Sequence, residues 1–219
     1  RESQETFAIR RKAASIVKII LDIDENININ KLIEYSIKTL SYDKKSLVNE
    51  VKEFLLQRLK KELEDRNIRY DVLNAVISVN NNDFVDVKDR AEAVMELRED
   101  NPDLFVNLFQ GLVRAKNLAA KAKMDNDIDK DLFSTKGEKN LYKEYINIKD
   151  FVEEKYNSAE YKKALKKLVE LKKVIDEFLD NVIVMVDDDD IKENRLALLK
   201  RVSEMSEAVM DIEEIALDD

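Results

Sequence analysis

The sequence predicts an all-α fold, a multi-helix bundle of about nine helices, from three observations. The 219 residues include two glycines and one proline, too few for strands joined by tight turns. Leu, Ile, Lys, Glu and Ala dominate, a composition that suits helices. Apolar residues recur near a period of 3.6 along most of the chain, and no stretch alternates with period 2.

Each element follows from its own pattern. Phe7, Ala8, Ala14, Val17, Ile20 and Leu21 mark a first amphipathic helix, and the Asn-rich stretch after it reads as a loop. Asn28 or Asn30 can cap a second helix that turns Leu32, Ile33, Ile37 and Leu40 inward. Residues 41–43 are a break, with Asp43 as the cap of a third helix over 44–66. That helix carries Leu47, Val51, Phe54, Leu55, Leu59 and Leu63 at i, i+4, i+7, i+8 spacing, and Asn67 suits the left-handed position past its end. A short helix over 70–79 and another over 84–98 follow, separated by Asn80 to Asp83.

Asn101-Pro102 is a helix start, with a capping Asn and Pro at the first helical position. The helix that follows is expected to run through Met124. Residues 125–134 are acidic and irregular, and are expected to form a mobile loop. Thr135 to Glu138 has the form of a capping box. Ser158 is expected to open a long helix that passes into the apolar run Asn181 to Val186, a run suited to the centre of a bundle. Asp187 to Asp190 stops that run and caps the last helix, which is expected to carry Leu196, Leu199, Val202, Val209 and Ile212. The whole reads as one domain over 1–219, with a possible subdivision near 125–134. Arg1 in the first position suggests a fragment of a longer chain.

Composition also excludes chemistry. The chain has no Cys and no His, so disulfides, thiolate metal sites and Ser-His-Asp or Cys-His arrangements cannot be built. Gly111 and Gly137 cannot make a phosphate-binding glycine loop. No apolar span reaches 18 residues, so no membrane-crossing helix is expected, and no leader is visible. Four successive aspartates at a helix start cannot all face one ion, so 187–190 reads as a solvated cap rather than a metal site. The chain carries 47 Asp and Glu against 38 Lys and Arg. A protein this acidic has no general affinity for a polyanion, so any nucleic-acid contact must be concentrated on a few faces.

Leu104 to Met124 is such a face, with no acidic residue and with Arg114, Lys116, Asn117, Lys121 and Lys123 in its second half. Arg114, Asn117 and Lys121 fall at i, i+3 and i+7 and share one side of a helix. Together they offer the cations and amides that single-stranded RNA recognition needs. The same pattern also describes an exposed, solubilising face.

The order of motifs resembles the C-terminal region of the bacterial glycyl-tRNA synthetase beta subunit. Phe7 to Arg11 (FAIRR) is similar to that family's D-P-F-A-L-R-R, although residues 4–6 (QET) replace the residues before Phe7 and Ser15 stands where glycine is frequent. Phe54 to Leu59 (FLLQRL) and Tyr70 to Val76 (YDVLNAV) resemble F-x-x-x-R-L and Y-D-V-x-x-A-V. Arg114 to Asn117 matches R-x-x-N, and Glu138 to Tyr142 matches E-x-x-L-Y. Asp176 to Met185 (DEFLDNVIVM), with Leu179 in place of a second phenylalanine, precedes Asn194 to Leu199 (NRLALL).

The resemblance implies an anticodon-binding domain of the type shared with arginyl-tRNA synthetases. It implies tRNA(Gly) and a synthetase alpha subunit, in a cytoplasmic α2β2 assembly, as partners. ATP and Mg²⁺ are implied for the parent enzyme, and no cofactor or chemistry for the fragment. Arg10 and Arg11 match family positions, and can serve either RNA contact or a helix-to-helix link through Asp176 or Asp180. Arg58, Arg66 and Arg69 offer a cationic edge beside Tyr70, or surface pairs with Glu62 and Asp65 around an inward Tyr70. Arg195 divides between RNA contact and an internal salt bridge. The alternative to tRNA binding is a helical module that joins subunits or domains without touching RNA.

Overall fold

The computed structural model describes residues 2–40 and 45–217. Among them it is all-α, with ten α-helices: α1 (Glu2–Ile23), α2 (Ile29–Thr39), α3 (Lys45–Asp65), α4 (Tyr70–Val79), α5 (Phe84–Asp100), α6 (Pro102–Ala119), α7 (Lys136–Asn157), α8 (Tyr161–Leu168), α9 (Leu171–Asn181) and α10 (Asp189–Ser203). Three single-turn 3-10 helices lie at Lys130–Leu132, Glu204–Ser206 and Ile212–Glu214. No described helix is long and apolar enough to cross a membrane. The break at 41–43, with its Asp43 cap, lies outside the described residues.

The chain forms two compact units, 1–92 and 93–219, and the boundary falls inside α5. The segment 125–134, where sequence suggested a division, belongs to the second unit.

In the first unit α1, α2 and α4 pack against α3. Asn28 caps α2 by accepting from the Lys31 N–H, and Asn67 takes the left-handed conformation at φ 67° that ends α3. The asparagines around 80–82 work as a staple: the Asn82 carbonyl accepts from the Ile29 N–H, and its side-chain oxygen accepts from Asn30 and Lys52. Arg90 is buried and donates to the carbonyls of Val76 and Asn80 and to Asp86. It thereby satisfies the carbonyls that the end of α4 leaves open.

In the second unit α6 packs on α9 and α10, and α7 on α8 and α9. Asn101 caps α6 and the full Thr135–Glu138 capping box opens α7. Arg98 is buried, its guanidinium 5.3 Å from the centre of the Phe105 ring. Gly137 is required by close packing, because an added Cβ would lie 2.7 Å from a Val182 methyl. Helix propensity alone would favour Gly137→Ala by up to ~1 kcal/mol, but the overlap forces a shift costing ~1–3 kcal/mol. The expected result is therefore a lower melting temperature, readable by circular dichroism.

Several boundaries differ from the sequence reading. Ser158 does not start a helix; it ends α7, and Ala159 follows at φ 56°. A left-handed alanine carries no glycine signal, so the break is invisible to composition. The long eighth helix is two, because the Glu170 and Lys172 N–H groups bond three residues back, which tightens the chain without interrupting the apolar period. The run 182–186 is not a bundle-centre helix. It is irregular and extended, with Val182 and Val184 buried while Ile183 and Met185 are 75% and 50% exposed. The last helix stops at Ser203, so Val209 and Ile212 are buried from the irregular tail beyond it.

Candidate nucleic-acid interface

Helix α6 ends at Ala119, five residues short of Met124. Arg114 and Asn117 lie three apart on its exposed side, and Lys121 sits in the turn that follows, its N–H bonded to the Leu118 carbonyl. Arg114 and Lys121 are exposed and enter no ion pair among the described residues. The turn is tied to α10. Glu193 accepts from the Lys123 N–H at 3.0 Å, and Asn194 both accepts from the Asp129 N–H and donates to its carbonyl, each at 2.8 Å. Lys200 reaches Asp125 at 2.8 Å. Sequence reading missed these α10 partners, since Glu193 and Asn194 lie 70 and 65 residues from the groups they hold and leave no local signal. They fix the segment that carries Lys121.

Lys116 is not available to a polyanion. Its ammonium lies 3.1 Å from Glu213, 3.3 Å from Asp211 and 3.5 Å from Glu207. Partial burial works to lower its pKa, but the bonds to Glu213 and Asp211 outweigh that and hold it above the ordinary value. Lys123 is exposed, with Asp189 at 3.7 Å. Beside it a cleft of about 530 Å³ is lined by Asp127, Asp129, Asp189, Asp190 and Glu193, a sign of charge that repels phosphate. The cation face is thus narrowed to Arg114, Asn117 and Lys121, with Lys123 at its acidic edge.

Arg195 is also removed from the interface. It is 5% exposed and pairs with the fully buried Glu138, Nε to Oε1 at 3.0 Å and Nη2 to Oε2 at 3.3 Å. It donates as well to the Ile183 carbonyl at 2.7 Å and the Ser134 hydroxyl at 2.9 Å. Asp187 to Asp190 takes no part in this. Asp188 caps α10 by accepting from the Asp190 and Ile191 N–H groups, and among the described residues no cluster of three or more acids is placed to hold a metal ion.

In the first unit Arg66 pairs with Glu62 at 3.0 Å and Asp22 at 4.0 Å. Arg69 holds the buried Asp71, and Arg58 lies over the Phe54 ring at 4.5 Å. Tyr70 is exposed, against the reading that turned it inward. Arg10 and Arg11 are exposed and enter no ion pair among the described residues, and Asp176, one suggested partner, is held by Lys172 at 2.8 Å.

Among the described residues the second unit is thus all-helical, with a capped α6 and the exposed Arg114 and Lys121 at and just past its end. Residues 108–216 match the family model described as the DALR anticodon binding domain, the class the second unit represents. Residues 1–78 match the model described as glycyl-tRNA synthetase beta subunit. The chain is 50% identical over 217 residues to the glycine–tRNA ligase beta subunit of Halothermothrix orenii, covering 99% of this chain and 32% of that protein. It is 35% identical over 216 residues to the protein of the same name from Clostridioides difficile, covering 97% and 31%. A third, from Halalkalibacterium halodurans, is 32% identical over 203 residues, covering 90% and 29%. The chain belongs to the glycyl-tRNA synthetase beta subunit family, and it spans about a third of the length of the curated relatives it matches.

Proposed function

We propose that the chain binds the anticodon arm of tRNA(Gly) as part of a bacterial glycyl-tRNA synthetase beta subunit. One observation carries the reading. The DALR match over 108–216 includes the exposed Arg114, Asn117 and Lys121, cations and amide left unneutralised in an otherwise acidic protein. Arg114 and Lys121 would hold phosphates of the loop, and Asn117 would reach a base edge. Attachment of glycine with ATP and Mg²⁺ would occur elsewhere, in an α2β2 cytoplasmic assembly with the alpha subunit. This chain would supply grip on the tRNA and no bond-making group.

The test is a binding titration of tRNA(Gly) at fixed salt. Arg114→Ala and Lys121→Ala are each expected to weaken binding by up to about tenfold without changing the circular dichroism melt, as loss of one phosphate contact does. Lys116→Ala is expected to leave binding nearly unchanged, because its charge is already neutralised by Glu207, Asp211 and Glu213. Unchanged affinity in both Arg114 and Lys121 variants would remove this face from the reading. The second reading, a helical module that joins subunits without touching RNA, is favoured by the carboxylate cage of Lys116. A flat titration at low salt would select it.

A further inference from the structure

Helix α1 has an apolar arc wider than its packing uses. Ala13, Val17, Ile20 and Leu21 are buried on the side that meets α3. Next to them Ile9, Ile16, Ile19 and Ile23 are 58%, 45%, 57% and 52% exposed. With Lys12 these four fall at spacings of three and four along the helix, the repeat of a helix seam that packs against another element. Scattered exposed isoleucines need no explanation, but four on one stripe mark an interaction surface.

We propose that this stripe is an intramolecular docking face, covered in the intact beta subunit by an apolar segment of the polypeptide that lies outside this chain. Relatives align over 99% of the chain but only 32% of their own length, so about two thirds of such a subunit is available to supply the cover. The family model that includes all of α1 is the subunit's own, whereas the DALR match begins only at residue 108. A second copy is a poorer occupant. Four half-exposed isoleucines offer on the order of a few hundred Å² per copy, below the roughly 800 Å² per partner of a standard interface. A parallel pair would also set Lys12 against Lys12. A tethered segment needs less area, because its effective concentration is already high. The inference rests on family membership and not on tRNA binding, and it stands if binding fails.

The chain has no cysteine, so Ile19→Cys introduces a unique thiol at an exposed site. Its rate of alkylation is compared in the 219-residue chain and in the full-length beta subunit, by mass spectrometry of the α1 peptide. The expected result is fast labelling in the short chain and labelling slower by on the order of tenfold or more in the full subunit, where reaction must await local opening. Equal rates in the two would overturn the proposal. Protection in the short chain alone, growing with protein concentration, would overturn it in favour of a second copy. Protection of the full subunit only after addition of the alpha subunit would overturn it in favour of an intersubunit contact.

Discussion

Arg195→Ala is expected to lower the stability of the second unit by about 3–5 kcal/mol, the cost of stripping one partner from a buried ion pair. In a chain of this size that corresponds to a fall of roughly 10 °C in melting temperature. The size follows from burial. Glu138 is fully enclosed, and Arg195 supplies two of its bonds while also holding the Ile183 carbonyl and the Ser134 hydroxyl. Removing the guanidinium leaves a carboxylate, a carbonyl and a hydroxyl to find new partners where little water reaches. Replacing both charges by apolar residues recovers only part of the loss. The Glu138 carboxylate also accepts from the Thr135 N–H at 2.8 Å and hydroxyl at 2.6 Å, so its removal strips the start of α7 as well.

The same pair sets a dependence on pH. Burial alone would raise the Glu138 pKa, but the bonds from Arg195 and Thr135 outweigh it and hold the carboxyl below the ordinary glutamate value. A carboxyl depressed in the folded state adds stability above its unfolded pKa and loses it as pH falls through the folded one. Wild-type stability is therefore expected to decline below about pH 4.3. The Arg195→Ala variant is expected to show a flatter acid limb. Thermal melts between neutrality and pH 3 test both statements, and parallel acid limbs would show that Glu138 is not held by Arg195.

Arg90→Ala is the second large effect, and it belongs to the first unit. The Arg90 guanidinium donates to the Val76 carbonyl at 2.6 Å, to the Asn80 carbonyl and to Asp86 at 2.9 Å. It closes the end of α4 from inside the core. Its loss opens buried acceptors, each worth about 1–3 kcal/mol, and adds a cavity, for a total near 3–4 kcal/mol. Arg90→Met keeps most of the volume and separates the two contributions. It is expected to lose less than Arg90→Ala, and both are expected to lower hydrogen-exchange protection of the α4 amides. Equal losses in the two variants would assign the whole effect to hydrogen bonding.

The parts of this structure legible in sequence are those decided locally. The Asn28 and Asn101 caps, Pro102 at a first turn, the Thr135–Glu138 box and the Asp188 cap each need only neighbours within three residues. The apolar stripes of α3 and α6 likewise announce themselves by period. What escaped reading depends on distant partners. Lys116 finds Asp211 across 95 residues, and the internal salt bridge that was one of the two readings of Arg195 finds its partner, Glu138, across 57; nothing near either residue in sequence points to that partner. Arg90 and Arg98, both buried, were missed for the same reason. The run 182–186 was misread because an all-apolar stretch carries no period. Only the structure shows that Val182 and Val184 turn inward while Ile183 and Met185 do not. Arg114 and Lys121 were legible as candidates because their charge has no acidic neighbour along the chain.

The salt dependence of tRNA(Gly) binding, measured for the wild-type chain and for the Arg114→Ala/Lys121→Ala double variant, bears on the cation face most directly. A polyelectrolyte contact makes the logarithm of the binding constant fall linearly with the logarithm of salt concentration, by about 0.7–0.9 per phosphate neutralised. The expected result is measurable wild-type binding that falls with salt, and a slope shallower by roughly two units in the double variant. Identical slopes, or no binding by the wild-type chain at low salt, would contradict the account.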